Sequence, residues 1–322
     1  MNCKKISVCI ITYNQVNYIK KTIESVLLQK VNFKFEIVIA DDFSTDGTRE
    51  VILEYSKRYP ELIKLIFQDK NVGPSINWKE LISYPKSEFI AYIEGDDYWT
   101  NPNKLQKQVD FLEENSDYVL SFHKVEILNS ENKIVEDFIT KVPNNYESIE
   151  TLASLGNYIH SPSIVFRNVI DELPIEIMSS PLGDYFMNML LARHGKLKYF
   201  NNTMAVYRYG VGIHSKSSDF KINWNTAITF SLLISYFNRE EENNIAKIFL
   251  YRLSILFNQY YDTVTKIDLL KLDNNKLVNE LIFDVFTTKR VQFFNESYQR
   301  KTTKQLLNII LVRIKKRVKI WF

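Results

Sequence analysis

Three carboxylates fall within four positions in the stretch Glu94-Gly95-Asp96-Asp97. Like charges this close repel one another, and a cation between them relieves the repulsion. Oxygen ligands on a short loop suit a hard ion, Mg²⁺ or Mn²⁺, above all when substrate phosphates complete its shell. Taken alone, the same residues also fit a solvated acidic turn. Two other polar clusters bear on the choice: Thr12-Tyr13-Asn14, and Asp41-Asp42-Phe43-Ser44-Thr45-Asp46-Gly47-Thr48.

Each cluster follows an apolar run of strand length: Ile6 to Ile11, Phe35 to Ala40 and Phe89 to Ile93. Nearly continuous apolar runs mark strands buried on both faces. Between them the apolar spacing is helical, from about Asn17 to Gln29 and from Thr48 to Tyr59, stopping at Pro60. A third strand over 63–67 and a helix over 75–83 precede the Phe89 strand. Strands alternating with helices through short connections predict a mostly parallel sheet with right-handed crossovers. Ligands of such sheets bind beyond the carboxyl ends of the strands. All three polar clusters lie there, and their convergence favours a ligand site over simple solvation. Neither a G-x-G-x-x-G nor a G-x-x-x-x-G-K-[ST] loop occurs in the chain. That disfavours a dinucleotide-dependent dehydrogenase and a P-loop NTPase. A nucleotide bound here would be held by carboxylates and a metal.

Further along, the spacing predicts a helix over 103–114 and a strand over 118–128. A polar hairpin or loop follows over 129–148, then a short helix over 151–155 and a strand ending at Arg167. His160 precedes that strand. It could contact a substrate or its phosphate, or be a hydrogen-bonded structural histidine. Asp184 stands at the start of a helix capped by Gly195, a place where aspartate often serves as N-cap. Tyr207-Arg208-Tyr209-Gly210 follows another strand. Arg208, His214 and Lys216 could meet a diphosphate.

Val8-Cys9-Ile10-Ile11-Thr12-Tyr13-Asn14, then Asp41-Asp42-x-Ser44-Thr45-Asp46-Gly47-Thr48, then Glu94-Gly95-Asp96-Asp97-Tyr98-Trp99 resemble the family 2 glycosyltransferases of GT-A fold. The match covers roughly residues 4–215, with the motifs in the family's order. The resemblance implies an inverting, metal-dependent enzyme. It would move a sugar from a nucleoside-diphosphate sugar, such as a UDP-sugar, to a hydroxyl of a saccharide acceptor in surface polysaccharide synthesis. A lipid-linked acceptor fits the same reading. Thr12, Tyr13 and Asn14 would line the nucleotide, and Asp42 would hydrogen-bond the base, with Asp46 supporting that loop. Asp96 would reach ribose and metal, and Asp97 would be the main ligand of Mg²⁺ or Mn²⁺. Asp184 would be the catalytic base, kept ionised by its helix N-terminus. Many relatives carry a histidine where this chain has Tyr209, which leaves His214 as a substitute metal ligand. The 129–148 segment would face the acceptor. Two other readings stand beside this one, a nucleotide-sugar-binding scaffold without catalysis and a sugar nucleotidyltransferase. Intact Asp96, Asp97 and Asp184 argue against the first. The lack of a Gly-rich N-terminal loop bearing Arg or Lys argues against the second.

Composition sets the outer bounds. The 322 residues are 45% apolar and 14% aromatic, ample for a large core. With 41 basic and 38 acidic residues the net charge is +3, and no global charge argues for nucleic acid. The two cysteines, Cys3 and Cys9, make no disulfide framework and fit a reducing compartment. No run of 18 uncharged apolar residues occurs, so a cytoplasmic protein without a spanning helix is expected. The pattern divides the chain into an α/β domain over 1–218 and a helical region over 219–322. That region ends in a basic amphipathic segment over 303–322, in which Arg313, Lys315, Lys316, Arg317 and Lys319 oppose an apolar stripe reaching Trp321. Such an end suits peripheral contact with the inner face of a membrane, or packing inside the helical region.

Overall fold

A computed structural model describes residues 4–211 and 219–260. His214, Lys216 and the 303–322 segment lie outside the described residues. The described chain opens with β1 (Ile6–Thr12), α1 (Ile19–Leu27), β2 (Phe35–Asp41), α2 (Thr48–Arg58), β3 (Ile63–Phe67), α3 (Pro74–Ser83) and β4 (Phe89–Glu94). Next come β5 (Tyr98–Trp99), α4 (Lys104–Glu114), β6 (Tyr118–Leu128), β7 (Ile134–Glu136) and α5 (Ile149–Leu155). A 3-10 turn (Ser161–Ser163), β8 (Val165–Arg167), α6 (Ile175–Met178), α7 (Gly183–Ala192) and β9 (Lys196–Arg208) complete the α/β part. Helices α8 (Asp219–Arg239) and α9 (Asn243–Tyr260) follow.

The strands form one sheet in the order β3-β2-β1-β4-β8-β6-β9-β5, with β7 paired to β6 as a hairpin. Pairs β1–β2, β1–β4 and β2–β3 are parallel, as the strand–helix alternation demands. Residues on β1, β2 and β4 read as unbroken apolar runs because helices cover both faces. Val8, Ile10, Ile37, Ile39, Ala91 and Ile93 are fully buried together with Ile19, Ile23 and Val26 of α1. Register places the chemistry: Thr12 lies level with Asp41, and Ile11 with Glu94. The three polar clusters therefore leave the sheet side by side.

The described residues fall into two compact units, one from 4–179 and 183–211, the other from 180–182 and 219–260. In the second, α8 and α9 pack through Phe230, Phe237 and Phe249, with ring centroids of Phe230 and Phe249 5.4 Å apart. No helix among the described residues is long and apolar enough to cross a membrane.

Candidate active site

The exits of β1 and β2 are tied together. The Asn14 main-chain N–H donates to Ser44 Oγ at 2.8 Å, and the Thr45 N–H donates to Asn14 Oδ1 at 2.9 Å. Asp46 accepts from the N–H of Val16 at 3.0 Å and from the Thr48 hydroxyl at 2.6 Å. Burial works to raise the Asp46 pKa, but the bonds from Thr48 and Val16 outweigh it, and its carboxyl ends below the ordinary range. Asp41 is fully buried and accepts from Ser44 and from Arg49. Asp42 accepts from the N–H groups of Val72 at 2.7 Å and Gly73 at 2.9 Å. Both of its oxygens thus hold the loop before α3.

Gly95 lets β4's exit press against β1. A β-carbon there would stand 2.4 Å from Gln15 Oε1 and 2.9 Å from Thr12 Oγ1. Behind the loop, the Thr22 hydroxyl of α1 reaches the carbonyls of Gly95 at 2.8 Å and Asp97 at 2.6 Å. Asp96 and Asp97 are 3% and 1% exposed, so these loop carboxylates are not a solvated turn. Asp96 Oδ1 and Asp97 Oδ2 are buried and have no hydrogen-bond partner among the described residues. Buried, unpaired carboxylate oxygens are costly to leave as they are.

Electrostatics agrees with the geometry. Burial, then the charges of Asp96 and Glu94, push the Asp97 pKa well up, against the pull of Arg208. Asp96 is raised by burial, opposed by its own main chain, Arg208 and Gln15. Glu94, at the partly exposed end of β4, is pushed up to about 8 by burial and by the charges of Asp96 and Asp184. A divalent cation held by Asp96 and Asp97 would offset the repulsion among these carboxylates. Among the described residues no set of three His, Cys, Asp or Glu side chains is gathered as a ready metal cage. Two carboxylates with free oxygens nevertheless fit an ion that takes its remaining ligands from phosphates and water.

Arg208, at the end of β9, joins this cluster. Its main-chain N–H donates to Asp97 Oδ1 at 2.8 Å, and its Nε donates to the Asp96 carbonyl at 2.7 Å. The guanidinium lies 4.7 Å from the ring centre of Tyr18. Asp184 stands in the first turn of α7, exposed, and accepts from Asn157 Nδ2 at 2.9 Å. Its charge is felt at Glu94, Tyr92 and Tyr207, so it faces the same cluster. His160 pairs with Asp137. Its Nε2 lies 2.9 Å from Asp137 Oδ2, and its ring packs 5.1 Å from Tyr207.

The structure therefore gathers Thr12, Tyr13, Asn14, Asp42, Asp46, Asp96, Asp97, Arg208 and Asp184 on one edge, and pairs His160 with Asp137. Sequence reading missed Gln15, Tyr18, Asn157 and Asp137. None of these carries a motif, and the contacts of Tyr18 with Arg208, Asn157 with Asp184 and Asp137 with His160 join residues distant in the chain.

The model of the family described as Glycosyl transferase family 2 matches residues 7–173, more than half of the chain. The chain belongs to glycosyl transferase family 2. An uncharacterised protein of Mycobacterium tuberculosis is 35% identical to this family member over 224 residues, which are 68% of this chain and 64% of the relative. This chain thus spans less than two thirds of the mycobacterial relative's length. Among solved structures, residues 1–349 of S. aureus TarS in complex with UDP align with a TM-score of 0.56 and 20% identity, covering 89% of this chain and 82% of that one. A mannosyltransferase from Pyrobaculum calidifontis, in complex with GDP-Man and Mn2+, aligns with a TM-score of 0.52 and 12% identity, covering 91% and 83%. At such identities the likeness concerns the fold, which is the α/β GT-A fold of this family, followed by helices.

Proposed function

We propose that this family 2 member is an inverting glycosyltransferase that moves a sugar from a nucleoside-diphosphate sugar to a saccharide hydroxyl. The observation that carries the reading is the pair of buried oxygens without partners among the described residues, Asp96 Oδ1 and Asp97 Oδ2, beside Arg208, with Asp184 acting on Glu94 of the same loop. The structural neighbours bound to UDP and to GDP-Man support a nucleotide donor, and the Mn2+ of one supports a divalent ion.

Each residue then has a task. Thr12, Tyr13, Asn14 and Asp42 line the nucleotide side, with Asp46 stiffening the loop. Asp97 and Asp96 would hold Mg²⁺ or Mn²⁺, which supplies charge neutralisation for the departing diphosphate. Arg208, anchored on the Asp96 carbonyl, adds a fixed cation on the same side. Asp184 accepts the proton of the acceptor hydroxyl as that oxygen attacks the anomeric carbon. Asn157 orients its carboxylate by donating to it, and the start of α7 favours its ionised form. The exposed position of Asp184 leaves room for an acceptor. Positioning and charge placement supply most of the rate effect in this scheme. The sequence of the 303–322 segment supports a lipid-linked acceptor met at an anionic membrane face.

A melting-temperature screen of UDP- and GDP-sugars, each with and without Mn²⁺, tests the proposal. A donor that binds the folded chain raises its melting temperature by mass action, and the rise is expected only with the metal present. No shift with any nucleotide sugar, or an equal shift without metal, would count against the reading.

A further inference from the structure

Phe43 stands where the chain leaves β2, between Asp42 and Ser44. Its backbone is left-handed, with φ 62°. For a residue with a bulky side chain that conformation is disfavoured, and glycine, asparagine or aspartate usually hold it. Across the sheet Asn14 leaves β1 in the same conformation, with φ 51°. The Asn14 side chain is tied to the Thr45 N–H, which accounts for its geometry. Phe43 has no polar side chain to gain such a bond.

What Phe43 gains is a support. Its ring lies 5.1 Å from the Arg49 guanidinium, which also lies 4.7 Å from the ring of Phe67. Arg49 is fixed in turn by Asp41 and by the Gln68 carbonyl. The ring is thus backed by a rigid cation yet remains 40% exposed. Tyr13, on the adjoining exit, is 46% exposed. Folding alone gives no reason to hold an exposed aromatic ring on a strained backbone. Such strain gathers where a ligand is met. Both carboxylate oxygens of neighbouring Asp42 already accept main-chain N–H groups, and the ring adds an exposed aromatic surface beside them.

We propose that Phe43, at the exit of β2 that adjoins the Tyr13 exit of β1, is a stacking wall for the nucleobase of the donor. The inference rests on the nucleotide-sugar reading above and adds to it a residue outside the polar motifs. Every nucleobase presents a planar π-face, and an aromatic ring with one face supported and part of its surface exposed is built to meet one.

Titration calorimetry with two probes tests it: UDP, which carries a base, and inorganic pyrophosphate, which does not, both in Mg²⁺. Phe43→Ala and Phe43→Gly should each weaken UDP binding by roughly tenfold, the size of one base–aromatic stack. Pyrophosphate affinity should stay unchanged, and Phe43→Trp should keep UDP affinity within about twofold. Because both small variants lose the ring and only glycine relieves the left-handed backbone, Phe43→Gly should melt about 2–4 °C above Phe43→Ala. Unchanged UDP affinity in Phe43→Ala, or an equal loss for UDP and pyrophosphate, overturns the stacking role. A wild-type chain that binds neither probe overturns the donor reading, and this inference falls with it.

Discussion

The main-chain N–H of Arg208 donates to Asp97 Oδ1 across 111 positions of sequence. That bond makes the end of β9 part of the site at the end of β4. Neighbours on β9 extend the arrangement. Tyr207 packs on His160 with ring centres 5.1 Å apart, and Tyr209 meets Phe138 edge-on at 5.2 Å. One strand end therefore links the carboxylate cluster to the 129–148 segment. Asp97 uses one oxygen for this link and leaves the other without a partner among the described residues.

Asp97→Asn should separate binding from stability. Asparagine can still accept from the Arg208 N–H but carries no charge toward a cation. Metal-dependent UDP binding should weaken by at least about tenfold, the scale of a lost charged contact. The metal-free chain should melt at the wild-type temperature or above, because the substitution removes one of three clustered carboxylates. Calorimetry that returns unchanged UDP affinity in Mn²⁺ would take Asp97 out of the metal site.

Asp137→Asn should reveal the pairing with His160 through pH. Burial tends to raise the Asp137 pKa, but the bonds from His160 and Thr140 prevail and hold it far below the ordinary value. A carboxyl lowered in the folded state contributes stability that is present above its unfolded pKa and lost as pH falls through the folded one. At pH 7 the variant should be less stable by about 1–2 kcal/mol, the scale of a hydrogen bond to a charged group. The gap should shrink progressively below about pH 4, where the unfolded carboxyl takes up its proton. Urea melts at pH 7, 5 and 3 make the comparison. A gap of the same size at pH 3 as at pH 7 would show that the charge of Asp137 is not what stabilises the fold.

The strands β1, β2 and β4 are legible in sequence because burial on both faces writes unbroken apolar runs. Their polar ends are legible for the complementary reason, that a buried strand can turn polar only where it leaves the sheet. Strand β5, two residues long, and β7, three residues long, are too short to show any period. Helix α6 spans four residues and is equally silent. Lys104 shows the deeper difficulty. It reads as the polar face of an amphipathic helix, yet it is fully buried with its Nζ 4.2 Å from the Trp99 ring. Its pKa is driven well down by that burial. Tertiary packing alone decides this, and no local pattern records it. The same holds for Arg208, whose Tyr-Arg dipeptide says nothing of Asp97, and for Asn157, which meets Asp184 from 27 positions away.

Asp184→Asn is the sharpest test of the proposed chemistry, because two accounts of that residue predict different losses. As a helix-start aspartate, its removal should cost about 1 kcal/mol of stability and leave chemistry intact. As the base, its removal should leave nucleotide binding intact and abolish transfer, since the proton is taken in the chemical step and not during capture of the donor. Asparagine keeps an oxygen that can accept from Asn157, so side-chain placement is largely conserved while basicity is lost. General-base catalysis is worth roughly 10²–10⁴-fold, and a loss of that size in kcat is expected. The affinity for UDP in Mn²⁺ should change by less than about twofold, because the base acts in the chemical step and not in capture of the donor. Donor hydrolysis offers a readout that requires no saccharide acceptor, since water can take the acceptor's place and the same carboxylate would deprotonate it. Hydrolysis near the wild-type rate in a folded Asp184→Asn chain would reduce Asp184 to a helix cap and move the search for the base to another residue near Glu94.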